Sequence, residues 1–204
     1  MRVMETAVYT FDELDDDAKE KAREWFRGYI EHQPDDLADY DDWQAVAGIL
    51  GIDFDTRRNS REPAIYWSGF CSQGDGACFT GTYRYAKGAP AKIRAYASKD
   101  TELHGIADRL QAIQRKYFYK LEAQITQSGR YCHSGTMTVN TEYAGDRWRD
   151  IGDAGDDIQN EMRRFADWIY SRLEAEYDYL NSDEYVGESI RAMEYEFTES
   201  GERI

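Results

Sequence analysis

Polar and apolar residues alternate through the first ten positions, with Val3, Glu5, Ala7 and Tyr9 on one side and Met4, Thr6, Val8 and Thr10 on the other; this predicts a strand. From Leu14 the period becomes helical, and Leu14, Ala18, Ala22, Trp25, Phe26 and Tyr29 share a face. Thr10 with Glu13 matches a capping box and Asp15 serves equally well as an N-cap, while Asp15 with Lys19 and Asp17 with Lys21 are spaced as helpful i,i+4 pairs. Pro34 marks a turn. A second helix is expected from about Asp42, burying Trp43, Val46, Ala47 and Leu50 and stopping at Gly51.

The centre of the chain has β character. Ile65, Trp67 and Gly69 alternate with Tyr66, Ser68 and Phe70, and the alternation resumes through Phe79, Gly81, Tyr83 and Tyr85, which predicts a hairpin around Gly74-Asp75-Gly76. Ile93, Ala95 and Ala97 suggest a further short strand, and Gly88-Ala89-Pro90 an exposed loop before it. Leu103, Ile106, Ala107, Leu110, Ile113 and Tyr117 return to helical spacing. A second hairpin follows, with Leu121, Ala123 and Ile125 in one strand and Met137, Val139 and Tyr143 in the other; Cys132 and His133 are expected on strand, facing opposite ways. After a loop at Gly145 to Gly155, Ile158, Met162, Phe165, Ala166, Ile169, Leu173, Tyr177 and Leu180 trace the longest amphipathic helix. Glu188 to Met193 extend helical structure, and Met193, Tyr195 and Phe197 suit an edge strand.

Helices at both ends with strands grouped between them favour an α+β fold with an antiparallel sheet. Residues 1–145 are expected to form the α+β core, and residues 146–204 an acidic helical part packed on it as one domain. Neither a cationic, apolar leader nor a run of 18 apolar residues occurs, which points to a soluble, cytoplasmic protein without contact to a membrane. Cys71, Cys78 and Cys132 contain no Cys-x-x-Cys pair and read as free thiols.

Charge changes this picture more than composition does. Asp and Glu against Lys and Arg number 16 to 7 in residues 1–58, 7 to 11 in residues 59–145 and 17 to 7 in residues 146–204, so acidic ends flank a mildly basic middle. Glu31, Asp35, Asp36, Asp39, Asp41 and Asp42 form a run without a Lys or Arg, and Asp150, Asp153, Asp156, Asp157, Glu174 and Glu176 form a second acidic group. Carboxylates displayed along helix faces suit the phosphate-binding surface of a basic partner. The alternative is a solvated face that only keeps the protein soluble. Direct binding of nucleic acid is disfavoured by the net charge of -15, although Arg84, Lys87, Lys92, Arg94 and Lys99 among Tyr83, Tyr85 and Tyr96 have the composition of a stacking platform.

Catalytic chemistry finds little support. The Gly69 to Gly76 segment leads into a strand and carries Asp75, whereas a phosphate cradle precedes a helix and uses Lys; it reads as a structural hairpin of Gly69, Gly74, Asp75 and Gly76. His32, His104 and His133 stand apart, and neither Asp15-Asp16-Asp17 nor Asp153 to Asp157 has the alternating pattern of a calcium loop. No catalytic residue, metal or cofactor is therefore expected.

Three segments carry a resemblance: Tyr9 to Leu14 with Ala18 to Ala22, Trp67-Ser68-Gly69-Phe70 with Ser72 to Ala77, and Gly129 to Gly135. Over residues 9 to about 140 the chain resembles a family of uncharacterised proteins from phages and prophages, some of which carry the label of antitoxin in a toxin-antitoxin system. That resemblance implies a mobile-element origin and a bacterial cytoplasm. With the acidic clusters, it leads to the expectation of a non-enzymatic, anti-CRISPR-like inhibitor. Its partner would be a basic nucleic-acid-binding protein or ribonucleoprotein complex of the host. The alternatives are an antitoxin neutralising a basic toxin and an enzyme using the Gly-Asp-Gly hairpin.

Overall fold

The structure, a computed structural model, describes residues 7–30, 37–58, 60–145 and 149–204. In chain order the elements are β1 (Tyr9–Thr10), α1 (Asp16–Ile30), α2 (Tyr40–Leu50), β2 (Ile52–Phe54), β3 (Ile65–Ser68), β4 (Gly76–Phe79), β5 (Gly81–Arg84), α3 (Ala89–Tyr96), α4 (Thr101–Lys116), β6 (Leu121–Gln127), β7 (Met137–Tyr143), α5 (Ala154–Leu180), α6 (Asp183–Ala192) and β8 (Glu196–Phe197). The fold is α+β, with all described strand pairs antiparallel. The chain gathers into two compact units, one of residues 1–38 with 173–204 and the other of residues 39–172. Residue 145 lies inside the second unit, and α5 contributes residues to both.

In the first unit the two ends of the sequence meet. β1 pairs with β8, Tyr9 opposite Phe197, and the apolar faces of α1 and α6 bury Leu14, Ala18, Ala22, Phe26, Val186 and Ile190 against Phe11 and Phe197. Both expected caps are used, for different helices. Glu13 accepts from the Thr10 amide at 2.8 Å and closes a short 3-10 turn over Phe11–Glu13, whereas Asp15 accepts from the Ala18 amide at 2.8 Å to start α1. Tyr29, expected on the buried face, is 49% exposed. Met1 to Thr6 of the expected first strand lie outside the described residues.

The second unit is built on the four-stranded sheet β2-β5-β6-β7 and the separate hairpin β3-β4. Leu121, Ala123 and Ile125 of β6, with Tyr83, Met137 and Val139, face the core, where Phe165 of α5 packs against Phe54, Phe79 and Trp168 at ring distances of 6.3, 5.8 and 5.6 Å. Asp100 caps α4 through the Leu103 amide and also accepts from Trp168 Nε1 and Arg172 Nη2, both at 2.8 Å, which fastens α4 to α5. α2 ends at Gly51 in the left-handed conformation, as its sequence predicts.

Several expectations are corrected. Ile93 and Ala95 lie within α3 and Ala97 is its C-cap, none of them in a strand: Pro90 stands in its first turn, its alanines favour helix, and Ile93 is the buried anchor. Gly88-Ala89-Pro90 consequently starts this helix, with Ala89 buried, and is not an exposed loop. The expected strand from Phe79 to Tyr85 divides at Thr80, so that β4 pairs with β3 while β5 enters the four-stranded sheet. Cys132 and His133 lie in the loop between β6 and β7, where His133 caps a 3-10 turn over Ser134–Thr136. Lys21 reaches Glu202 at 2.9 Å, and neither Asp15 with Lys19 nor Asp17 with Lys21 forms an ion pair. Among the described residues no helix is long and apolar enough to cross a membrane.

Candidate functional site

The predicted acidic residues that the structure describes fall on several elements. Glu31, Asp35 and Asp36 lie outside the described residues. Asp39, Asp41 and Asp42 belong to α2 and its cap: Asp39 accepts from the Asp42 amide at 3.0 Å, and Asp42 accepts from the Tyr96 hydroxyl at 2.6 Å, which raises the Tyr96 pKa. Asp150 accepts from the Gly152 amide at 3.0 Å, while Asp156 and Asp157 occupy the first turn of α5, where carboxylates suit the helix dipole. Asp153 is exposed just before that turn. Glu174 and Glu176 are exposed on the same helix but belong to the other compact unit.

What the fold does segregate is net charge. Asp and Glu outnumber Lys and Arg by 21 to 7 in the first unit, against 19 to 18 in the second. The few cations of the first unit are largely committed within it. Arg27 bonds Glu20 at 2.8 Å and also Asp183, Arg23 bonds Glu20 at 2.9 Å, and Arg191 bonds Asp12 at 2.8 Å. Arg203 lies over the Trp25 and Tyr195 rings at 4.9 and 4.6 Å. Glu174, Glu176 and Asp178 of α5 and Glu184 and Glu188 of α6 remain exposed, without an ion pair among the described residues.

The Gly-Asp-Gly hairpin is a self-locked loop. The amides of Cys71 and Ser72 donate to Asp75 Oδ2 at 3.0 and 2.6 Å, which holds the carboxyl below its usual pKa. Gly69 adopts φ +42°, and the space a side chain would need is filled by the Asp75 carboxylate. Tyr170 donates to the Gly69 carbonyl at 2.9 Å, Phe70 stacks between Trp67 and Tyr170, and Gly74 and Gly76 lie against Tyr131 and His133. Burial pushes the Cys78 thiol up to about 12, with Cys132 beside it contributing. Asp75 thus anchors the loop, with Oδ2 on its backbone amides and Oδ1 3.4 Å from the Ser68 hydroxyl.

A second surface was not apparent from the sequence. Between α4 and α5 lies a groove of about 330 Å³ lined by Arg109, Lys116, Asp157, Asn160, Glu161 and Arg164 among others. Glu161 is only 4% exposed; its Oε1 receives Arg109 Nε at 2.7 Å with Arg164 Nε at 3.6 Å, and its Oε2 is buried without a hydrogen-bond partner. Immediately after α4, Phe118 and Tyr119 hold left-handed conformations at φ 55° and 62°, which non-glycine residues seldom adopt, and are 65% and 42% exposed. Arg149 covers the Phe118 ring at 4.9 Å, and Tyr119 packs against Tyr85 at 4.4 Å. Tyr83, Tyr85 and Tyr96, whose composition would suit a stacking platform, do not share one: Tyr83 is buried and bonded by Gln114, Tyr96 is bonded to Asp42, and Arg94 is paired with Asp108 at 2.6 Å. The signal for Glu161 was present as a carboxylate within the apolar stripe Ile158, Met162 and Phe165.

The family model of DUF8835, a domain of unknown function, matches residues 37–183. The chain belongs to this family. DUF8835 thus takes in the whole of the second unit, with its hairpin and groove, and leaves out residues 1–36 and 184–204, most of the acidic unit. No curated protein and no solved structure matches the chain.

Proposed function

We propose that the protein is a non-enzymatic inhibitor of phage or prophage origin, comparable in kind to an anti-CRISPR protein. Its acidic unit would occupy the basic, nucleic-acid-binding surface of a host defence complex. The observation that carries this reading is the segregation of charge, 21 acidic to 7 basic residues in one compact unit and 19 to 18 in the other. A field concentrated in this way steers a basic partner to that unit and resembles, to Lys and Arg, a run of phosphates. The internal pairing of Arg23, Arg27 and Arg191 leaves the exposed carboxylates of α5 and α6 to act outward. Asp75 supports the non-enzymatic reading, because its carboxylate is committed to backbone amides.

The test is affinity capture from a bacterial lysate at low and high salt with the protein and a variant carrying Glu174→Lys, Glu176→Lys and Asp178→Lys. Capture of a nucleic-acid-binding complex at about 100 mM salt should fall tenfold or more in the variant, and should fall steeply with salt for the parent protein. Glu122→Lys with Glu142→Lys, on the exposed face of the sheet in the second unit, serves as the control and should change capture little. Equal capture by parent and triple variant overturns the reading. A small basic toxin as the captured species would support an antitoxin instead.

A further inference from the structure

The groove between α4 and α5 and the aromatic ledge that follows α4 form one continuous stretch of the second unit. Only Tyr117 separates Lys116 in the groove from Phe118 on the ledge, at most about 7 Å of chain. Three features mark this stretch. Phe118 ends α4 in the left-handed conformation, its amide on the Arg115 carbonyl at 3.4 Å and the Tyr119 amide on the Gln114 carbonyl at 2.8 Å, and displays a large apolar ring that the capping Arg149 leaves 65% exposed. Buried Glu161 gathers Arg109 and Arg164 at the groove while its second oxygen lacks a donor. Arg115, Lys116, Lys120 and Arg149 have no ion-pair partner among the described residues, in a protein where many other arginines are paired.

We infer that this surface binds single-stranded nucleic acid, with phosphate against Arg109, Lys116 and Arg164 and a neighbouring base stacked on Phe118. Cations beside an exposed aromatic ring are the recurring components of such sites: phosphate neutralisation supplies salt-sensitive affinity, and ring stacking supplies a preference for strands that carry bases. Glu161 holds the Arg109 and Arg164 guanidinium groups beside one another at the groove through its Oε1. The negative charge of the whole chain does not oppose this, because the second unit is nearly neutral, with 19 acidic and 18 basic residues. An acidic peptide would satisfy the cations but would make no use of the exposed ring.

Fluorescence anisotropy of the full chain tests this with labelled oligothymidylate, oligouridylate and an abasic strand, each of about twelve nucleotides. At about 50 mM salt both base-bearing strands should bind, and Phe118→Ala should weaken them about five- to hundredfold while leaving the abasic strand unchanged. Lys116→Gln with Arg164→Gln should weaken all three strands and reduce the salt slope by between one and two. Unchanged thermal melts confirm that the variants fold. The inference is overturned if no strand binds below about 100 µM, if Phe118→Ala affects the abasic strand equally, or if polyglutamate binds as tightly and responds to the same variants.

Discussion

Asp75 shows how a single carboxylate organises a loop. Its Oδ2 receives the amides of Cys71 and Ser72, and these donors lower its pKa in the folded protein. A depressed pKa means that the folded state favours the charged form. The loop is therefore fully anchored above the unfolded value of about 3.9 and loses that anchor as the pH falls through the lower, folded value. NMR should show the Cys71 and Ser72 amide resonances moving together in acid with one titration midpoint below 3.9; movement centred above the unfolded value contradicts the assignment. The turn was legible, because Gly-Asp-Gly between aromatic alternations has few other uses. Its anchoring on Tyr170 was not, because that partner lies 101 residues away from Gly69 in sequence. Gln114 is similar: a polar residue in the apolar stripe of α4, it is fully buried and bonds both the carbonyl and the amide of Leu121, a pairing that no local period predicts.

At the scale of elements, the most constrained joint is the end of α2. Gly51 has φ +89°, and a Cβ there would run into the Arg84 carbonyl of the adjacent strand β5. Gly51→Ala should destabilise the protein by at least about 2 kcal/mol and lower its melting temperature by several degrees, whereas Gly48→Ala, one turn earlier with open space around it, should be neutral or stabilising. Similar melts for the two variants would refute this geometry. The long periodic elements α4, α5, β6 and β7 were readable because their buried positions repeat over several turns or rungs. α3 was misread because eight residues with Ile93 as the main apolar anchor give too little period to separate helix from strand. The break at Thr80 was hidden for a different reason: alternation continues through Phe79, Gly81 and Tyr83 although the chain changes sheet between them.

For the whole molecule, charge is distributed by unit more sharply than by sequence. Cut along the chain, the segments differ as acidic, basic and acidic; gathered by the fold, nearly all the excess negative charge resides in the unit of residues 1–38 and 173–204. Such a unit repels itself, and salt screens that repulsion. Raising salt from about 50 to 500 mM should slow amide exchange in α6 more than in β6, and equal changes in both would count against an electrostatic cost confined to the acidic unit. The sequence disclosed the amount of acid but not its grouping, because the contacts that gather it join opposite ends of the chain. Likewise, the cations that line the groove lie on α4 and α5, and only folding makes them neighbours.

The pairing of Tyr9 with Phe197 places a condition on synthesis. A chain leaving the ribosome can assemble the sheet and the groove of residues 39–172 while its first helix still waits, for Val186, Ile190 and Phe197 must be made before α1 has a core to join. The acidic unit is thus the last part of the described structure to form. A product halted before α6 would carry the hairpin and the groove but would lack the packed acidic surface.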